Sequence, residues 1–300
     1  MLLSPPPSYA PAFGNDQYNN GKRVADLHGI LERWRIEAAA ARRALSPQRD
    51  IAYGDDDTEC FDLFSAKNSS REPLPLVVFI HGGYWRSLSK SEFSWIAPPY
   101  VERGIKVAVL DYGLAPGYRL ETIVRQNLAA IAWIWTHARE LGIARDRIVV
   151  AGHSAGGHLA AMMLAARWPD FDRRLPKNVV HAGVAISGLF DMEPLRHAPY
   201  LNADLQLTLD RVAPLSPLYM QPATDAPLIT AVGGEESEEF KRHTREIGIA
   251  WARNLREDVP LPGANHFSAC ERFVDRGHRL FEATVELCEG RGEGRGPRVL

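Results

Sequence analysis

Ser154 sits in "GHSAG", with Gly152 and Gly156 two positions to either side, between the apolar run "RIVVA" and the alanine-rich run "GGHLAAMMLAA". A serine held on a sharp strand-to-helix turn, flanked by residues small enough for the turn to close, is lifted out for attack on a carbonyl carbon. The helix beginning at Ala155 aims its free N–H groups and positive dipole end at the same spot, which favours an anion there. Glycine-rich patterns of this length arise easily by chance, so the strand before and the helix after carry more weight than the string itself.

Two further segments supply what a serine nucleophile needs. "HGGYW", residues 81 to 85, follows the buried-strand pattern "LVVFI". Successive glycines let a chain turn its amides inward, where one donor to a carbonyl oxygen that becomes an anion is worth about 3 kcal/mol. The expected donors are the amides of Gly83 and Tyr84 on one side and Ala155 on the other, with His81 pinning the loop. A base must also take the serine proton, and chain order on this kind of scaffold places an acid and then a histidine downstream. "EESEEF" and "LPGANHF" stand in that order. His266, expected in a loop at the end of the last strand, is the proton carrier. Glu238 and Glu239 fall where a helix should begin and read as first-turn charges. Glu235 and Glu236 compete for the acid, and Glu236 is preferred because the loop must clear the strand end before a side chain can reach His266. His153 and His158 flank the serine as packed or surface residues. No histidines stand at metal-ligand spacing such as H-E-x-x-H, so neither a metal nor another cofactor is expected.

The elements that must position these residues follow from the apolar pattern. "VADLHGILERWRIEAAAARRAL" has helical spacing, with Trp34 and Ile36 as packing residues. From residue 50 strands and helices alternate: "CFDLFSA", "LPLVVFIHGG", "IKVAVLDYG", "RIVVAG", "VVHAGVAISG", "APLITAVGG" and a weak segment near 256 to 260 read as strands. Between them lie a helix over "SEFSWIAPPYVERG" interrupted by Pro98 and Pro99, helices over 120 to 141, from Ala155 to Trp168 and over 238 to 255, and a closing helix. Strands apolar on both faces and separated by helices argue for an α/β fold, a mainly parallel central sheet covered by helices on both sides. Residues 1 to 49 form an N-terminal extension and helix, its proline-rich opening extended over the surface. Residues 50 to 288 form the main domain, with a small cap at 187 to 224, and 289 to 300 a flexible tail.

Charge and cysteine content exclude several classes. Lys and Arg number 35 against 37 Asp and Glu, so no broad field of either sign draws the chain to nucleic acid or a membrane surface. A small neutral or zwitterionic substrate suits that balance. Cys60, Cys270 and Cys288 are far apart and lack C-x-x-C spacing, which suggests neither a disulfide framework nor a zinc site and suits a reducing cytoplasm. No basic, apolar leader and no run of about 18 apolar residues is visible.

"HGGYW", "DYGLAP" and "GHSAGGHLAAM" together resemble the hormone-sensitive-lipase-like branch of the α/β-hydrolases. Joined to "SGLFDMEPL" at 187 to 195, the pattern is similar to the kynurenine formamidase (arylformamidase) family. The resemblance spans about residues 50 to 285. It implies the α/β-hydrolase fold, a catalytic triad of Ser154, Glu236 and His266, and an oxyanion hole at the second glycine of "HGGYW" and its neighbour. It also implies hydrolysis of N-formyl-L-kynurenine to kynurenine and formate, a step of tryptophan catabolism, and a homodimer. The sequence departs from that pattern in placing Glu where Asp is usual and Gly113 where lipase-like relatives often carry Arg. For such a substrate, Tyr84, Trp85, Phe190 and Tyr200 are the candidate lining of the aryl side, and Arg196 a candidate for the carboxylate. A short-chain carboxylesterase is the alternative. A ligand-binding protein that has lost catalysis is a third reading, against which the presence of both Ser154 and His266 speaks.

Overall fold

A computed structural model describes residues 11–66 and 73–290. The chain runs α1 (Pro11–Tyr18), α2 (Leu27–Leu45), β1 (Gln48–Ala52), β2 (Cys60–Phe64), β3 (Leu74–Ile80), α3 (Ala97–Glu102), β4 (Lys106–Leu110), α4 (Leu120–Thr136), β5 (Ile143–His153), α5 (Ala155–Ala165), α6 (Trp168–Phe171) and β6 (Ala182–Ile186). Three short helices follow, α7 (Glu193–Arg196), α8 (Pro199–Leu205) and α9 (Leu209–Val212), and then β7 (Leu228–Gly233), α10 (Glu238–Ala250), β8 (Leu255–Leu261), α11 (His266–Glu271) and α12 (Arg279–Cys288).

The eight strands form one sheet in the order β1-β2-β4-β3-β5-β6-β7-β8. β1 and β2 join antiparallel, and every pair from β4 through β8 is parallel. This is the α/β-hydrolase fold. β3, β4 and β6 are buried at every position, as a parallel sheet covered on both faces requires. Side-chain alternation on β3 divides the core: Leu76, Val78 and Ile80 join the cluster containing α4, α5, α7, α8 and α9, while Val77 and Phe79 join the one containing α2, α3 and α12. The edges are blunted. β1 is almost wholly exposed and carries charge, and Pro260 sits in the opposite edge strand β8.

Several expectations change. The described part of the opening, from Pro11, is helical rather than extended, because Tyr18 at its end is buried and anchors it; residues 1–10 and the expected tail 291–300 lie outside the described residues. Trp34 packs in the core, but Ile36 points outward at 60% exposure. Pro98 and Pro99 do not interrupt a helix. They start α3, at positions whose amides have no intrahelical partner anyway. β1, whose "QRDIA" has no apolar alternation, is an additional strand. The helix expected to 141 ends at Thr136, and the one expected to Trp168 ends at Ala165. The stretch expected to form a small cap, about 187 to 224, carries α7, α8 and α9.

Candidate active site

β5 delivers Ser154 and α5 leaves from it. The serine has φ 59° and ψ −118°, a conformation costly for a residue with a Cβ and held here because the surroundings over-determine it. Its amide donates to Ile186 O at 2.8 Å, fixing the turn to the next strand. The flanking glycines are obligatory. A Cβ on Gly152 would stand 2.1 Å from Gly156 O, and one on Gly156 would stand 1.9 Å from Ile80 O.

The acid and the histidine meet at the neighbouring strand ends. His266 Nδ1 donates to Glu236 Oε2 at 2.6 Å. Glu236 Oε1 accepts from Gly233 N at 2.7 Å and from Ser187 Oγ at 2.5 Å, so the buried carboxylate spends three hydrogen bonds on staying in one pose. Glu235 is exposed, and the structure brings Glu236, not Glu235, to the histidine. Glu238 and Glu239 occupy the first turn of α10. His266 is not in a loop as expected but is the first residue of α11, because Asn265 caps that helix by accepting from the amides of Phe267 and Ser268. Its ring is boxed by Phe240 at 4.7 Å and Phe267 at 5.5 Å. With Nδ1 committed to the carboxylate, Nε2 presents its lone pair. Among the described residues no hydrogen bond joins Ser154 to His266, so this link of the expected relay is open in this structure. Such bonds often tighten only around bound substrate.

Sequence reasoning missed what holds the histidine. His153 is buried rather than at the surface, its ring 4.6 Å from that of His266, and its Nε2 donates to His266 O at 2.8 Å. Burial and the neighbouring imidazole hold its pKa well below the ordinary histidine range, so it stays neutral. His158 is likewise buried, donates to Leu215 O at 2.8 Å and is pushed down to about 4 by burial. Ser187, in the "SGLFDMEPL" segment, was visible as a motif residue but carried no sign of its bond to Glu236.

In the "HGGYW" loop three consecutive residues take positive φ: Gly83 at 102°, Tyr84 at 52° and Trp85 at 56°. Among the described residues the amides of Gly83, Tyr84 and Ala155 donate to no protein acceptor. The loop lies against the elbow, since a Cβ on Gly82 would stand 3.2 Å from Ser154 Cβ. His81 stacks on Tyr112 at 4.3 Å and shares its Nδ1 with Gly82 O at 2.8 Å, while Tyr112 Oη donates to His81 O at 2.8 Å. These contacts pin the strand end from which the turn departs.

The expected pocket lining divides. Trp85 and Phe190 are fully buried and are corrected to core residues: Trp85 stands edge-on to His158 at 5.0 Å, and the Phe190 ring fills the space above Gly188. Tyr84 and Tyr200 remain partly accessible. Arg196 gives two nitrogens to Glu193, at 2.8 and 2.6 Å, so that pair accounts for it.

Behind the site lies a polar clasp. Tyr18 Oη donates to Glu239 Oε2 at 2.8 Å and receives His243 Nε2 at 2.9 Å. His243 Nδ1 accepts the amides of Phe190 and Asp191, at 2.9 and 3.1 Å. Arg242 pairs with Glu239, Asp191 and Glu246. Tyr84 Oη donates to Tyr18 O at 2.5 Å and accepts from Asn20 at 3.2 Å, which ties the "HGGYW" loop to the end of α1. Among the described residues no three His, Cys, Asp or Glu side chains gather as a metal site, and no helix is long and apolar enough to cross a membrane.

Residues 61–229 match the BD-FAE family model. The chain is 30% identical over 260 residues to a kynurenine formamidase of Danio rerio, covering 82% of this chain and 84% of that protein. It is 28% identical over 251 residues to esterase LipC of Mycobacterium tuberculosis, covering 76% and 61%. A crystal structure from Silicibacter sp. tm1040, provisionally described as a thioesterase, superposes with a TM-score of 0.79 at 32% identity, covering 90% of this chain and 98% of that one.

Proposed function

The chain belongs to the kynurenine formamidase family of α/β-hydrolases, and on that premise we propose that it hydrolyses N-formyl-L-kynurenine to L-kynurenine and formate through a formyl-serine intermediate. Ser154 Oγ attacks the formyl carbon as His266 Nε2 takes its proton. Glu236 keeps Nδ1 protonated and stabilises the imidazolium that forms. The amides of Gly83, Tyr84 and Ala155 receive the oxyanion. Collapse breaks the C–N bond, and His266 returns the proton to the departing aryl amine. Water, deprotonated by the same imidazole, then attacks the formyl ester and releases formate.

The observation that carries this reading is the 2.6 Å bond from His266 to Glu236 beside a serine on a strained elbow. Ser154→Ala is expected to fold and to lose about 10⁵-fold in turnover of N-formylkynurenine and p-nitrophenyl acetate alike. Retained activity would remove Ser154 as nucleophile. The esterase relative favours a second reading, short-chain carboxylesterase. An acyl series decides between them: rates falling steeply beyond formyl and acetyl support the formamidase, whereas butyryl esters as best substrates with N-formylkynurenine inert support the esterase.

We further read residues 187 to 224 as the cap over this site and the protein as a cytoplasmic homodimer. Three cysteines without disulfide partners support the compartment, and sedimentation would test the dimer.

A further inference from the structure

N-formylkynurenine carries, beyond its ring and keto group, an α-ammonium and an α-carboxylate that need partners. The arginines around the cap differ in what they have left to offer. Arg196 gives Nε and Nη2 to both oxygens of Glu193, and Arg211 gives the same pair to both oxygens of Glu121, at 2.5 and 2.6 Å. Arg242 is buried among three carboxylates.

Arg86 is held differently. It lies two residues beyond Tyr84, and its amide donates to Gly83 O at 3.1 Å, one turn from the loop that touches Ser154. Its Nη1 alone makes the side-chain contacts, to Tyr200 O at 2.8 Å and Asp204 Oδ2 at 2.6 Å. The guanidinium carbon stands 4.5 Å from the Tyr200 ring centroid, so the planar group is clamped by one nitrogen and one face. Its Nε/Nη2 edge has no protein acceptor among the described residues, and Asp204 likewise uses one oxygen only. That edge is the fork that matches a carboxylate in two parallel hydrogen bonds. Side-chain exposures of 18% for Arg86 and 35% for Asp204 leave both reachable by a ligand, and Arg86 follows directly on the loop that lies against Ser154.

We infer that Arg86 and Asp204 form the subsite for the amino-acid head group, Arg86 taking the α-carboxylate on its Nε/Nη2 edge and Asp204 Oδ1 taking the α-ammonium. The inference rests on the formamidase reading of the site. The pair is neutral overall, as the zwitterion is, so binding introduces no net charge. Tyr200 serves as the platform that keeps the fork flat, and a simple ester has nothing for either charge to grip.

The test is the ratio of kcat/KM for N-formyl-L-kynurenine to that for p-nitrophenyl acetate, which has no head group. Arg86→Gln is expected to lower the ratio about 50-fold, mainly through KM of the formamide; Arg86→Lys, a point charge without the fork, and Asp204→Asn should each lower it about 10-fold. An unchanged ratio would overturn the inference and leave Arg86 as a latch between loop and cap. A second arm needs no formamide turnover. With p-nitrophenyl acetate as reporter, L-kynurenine should inhibit the wild-type enzyme more strongly than kynuramine, which lacks the carboxylate, and the difference should vanish in Arg86→Gln. Equal inhibition by the two would overturn the subsite. An enzyme inert toward N-formylkynurenine would instead sink the functional reading and leave the inhibition arm to decide the subsite.

Discussion

Ser154 is placed by backbone, its amide bonded to Ile186 O, whereas Phe190 and Asp191 are held by side chains, His243 accepting both their amides and Arg242 pairing with the Asp191 carboxylate, with Tyr18 and Glu239 bracing the pair. At the elbow almost nothing is spent on side-chain hydrogen bonds. Glycines let Gly152, Gly156 and Ile80 approach at distances that leave no room for a Cβ. In the clasp, buried polar groups find partners across 221 residues of chain. A region fixed by backbone sterics fails all at once when one atom is added, while a region fixed by a polar network loses one bond at a time. Glu236 stands between the two, a side chain whose pose is set by one amide, one hydroxyl and one imidazole.

The largest effect is expected where the two modes meet. In Glu236→Gln the amide oxygen can still accept from Ser187 and Gly233, which turns its NH₂ group toward His266 Nδ1. That nitrogen must then accept rather than donate, so Nε2 carries the proton and cannot take one from Ser154. A loss of about 10⁴ in kcat with near-native melting temperature is expected from steady-state kinetics and calorimetry. A kcat within a few-fold of wild type would show that another group orients the imidazole.

Next comes the elbow. Gly156→Ala puts a methyl 1.9 Å from Ile80 O, and both contacting groups are main chain, so β3 and α5 must separate. Destabilisation of about 3 kcal/mol by urea unfolding, together with lost activity, is expected. Unchanged stability would mean that the helix and strand yield more easily than the packing implies.

These contrasts also explain what the sequence could and could not reveal. The elbow is legible because its cause lies within five residues: Gly152, Ser154 and Gly156 state their own geometry. The sheet is legible because β3, β4 and β6 are apolar at nearly every position. His153 and His243 gave no such signal, since a buried histidine with a partner and an exposed one look alike until the partner is in place. Trp85 and Phe190 read as pocket lining for a similar reason, because large aromatics suit a core and a binding site equally. β1 was invisible because an exposed edge strand needs no alternation. Choosing Glu236 over Glu235 rested on loop reach; the deciding hydroxyl, from Ser187, lies 49 residues away in sequence.

The histidines give the comparison a pH axis. His153, His158 and His243 are all buried with pKa values held below the ordinary 6.5, His158 at about 4. In the unfolded chain they bind protons near pH 6.5, whereas the folded protein keeps them neutral. The unfolded state therefore gains protons first as pH falls, and stability drops from about pH 6.5 downward, His158 alone contributing up to about 3 kcal/mol by pH 4. His158→Gln, whose amide can still donate to Leu215 O, should shrink the fall in melting temperature between pH 7 and pH 5. An identical acid limb in the two proteins would place its cause elsewhere.

Tyr18→Phe separates the clasp from the chemistry. Removing the hydroxyl strands the Nε2–H of His243, while Glu239 keeps Arg242 and the ring keeps its edge contact with Phe240 at 6.0 Å. One buried donor without a partner should cost about 2 kcal/mol in urea unfolding. The tether to Tyr84, however, is the backbone carbonyl of residue 18, which the substitution leaves in place. kcat should therefore stay within about threefold of wild type below the unfolding range, since the loop proposed to receive the oxyanion keeps its anchor. If kcat falls with stability instead, the hydroxyl network transmits directly to the loop, and the clasp belongs with the elbow as part of the catalytic framework rather than as its support.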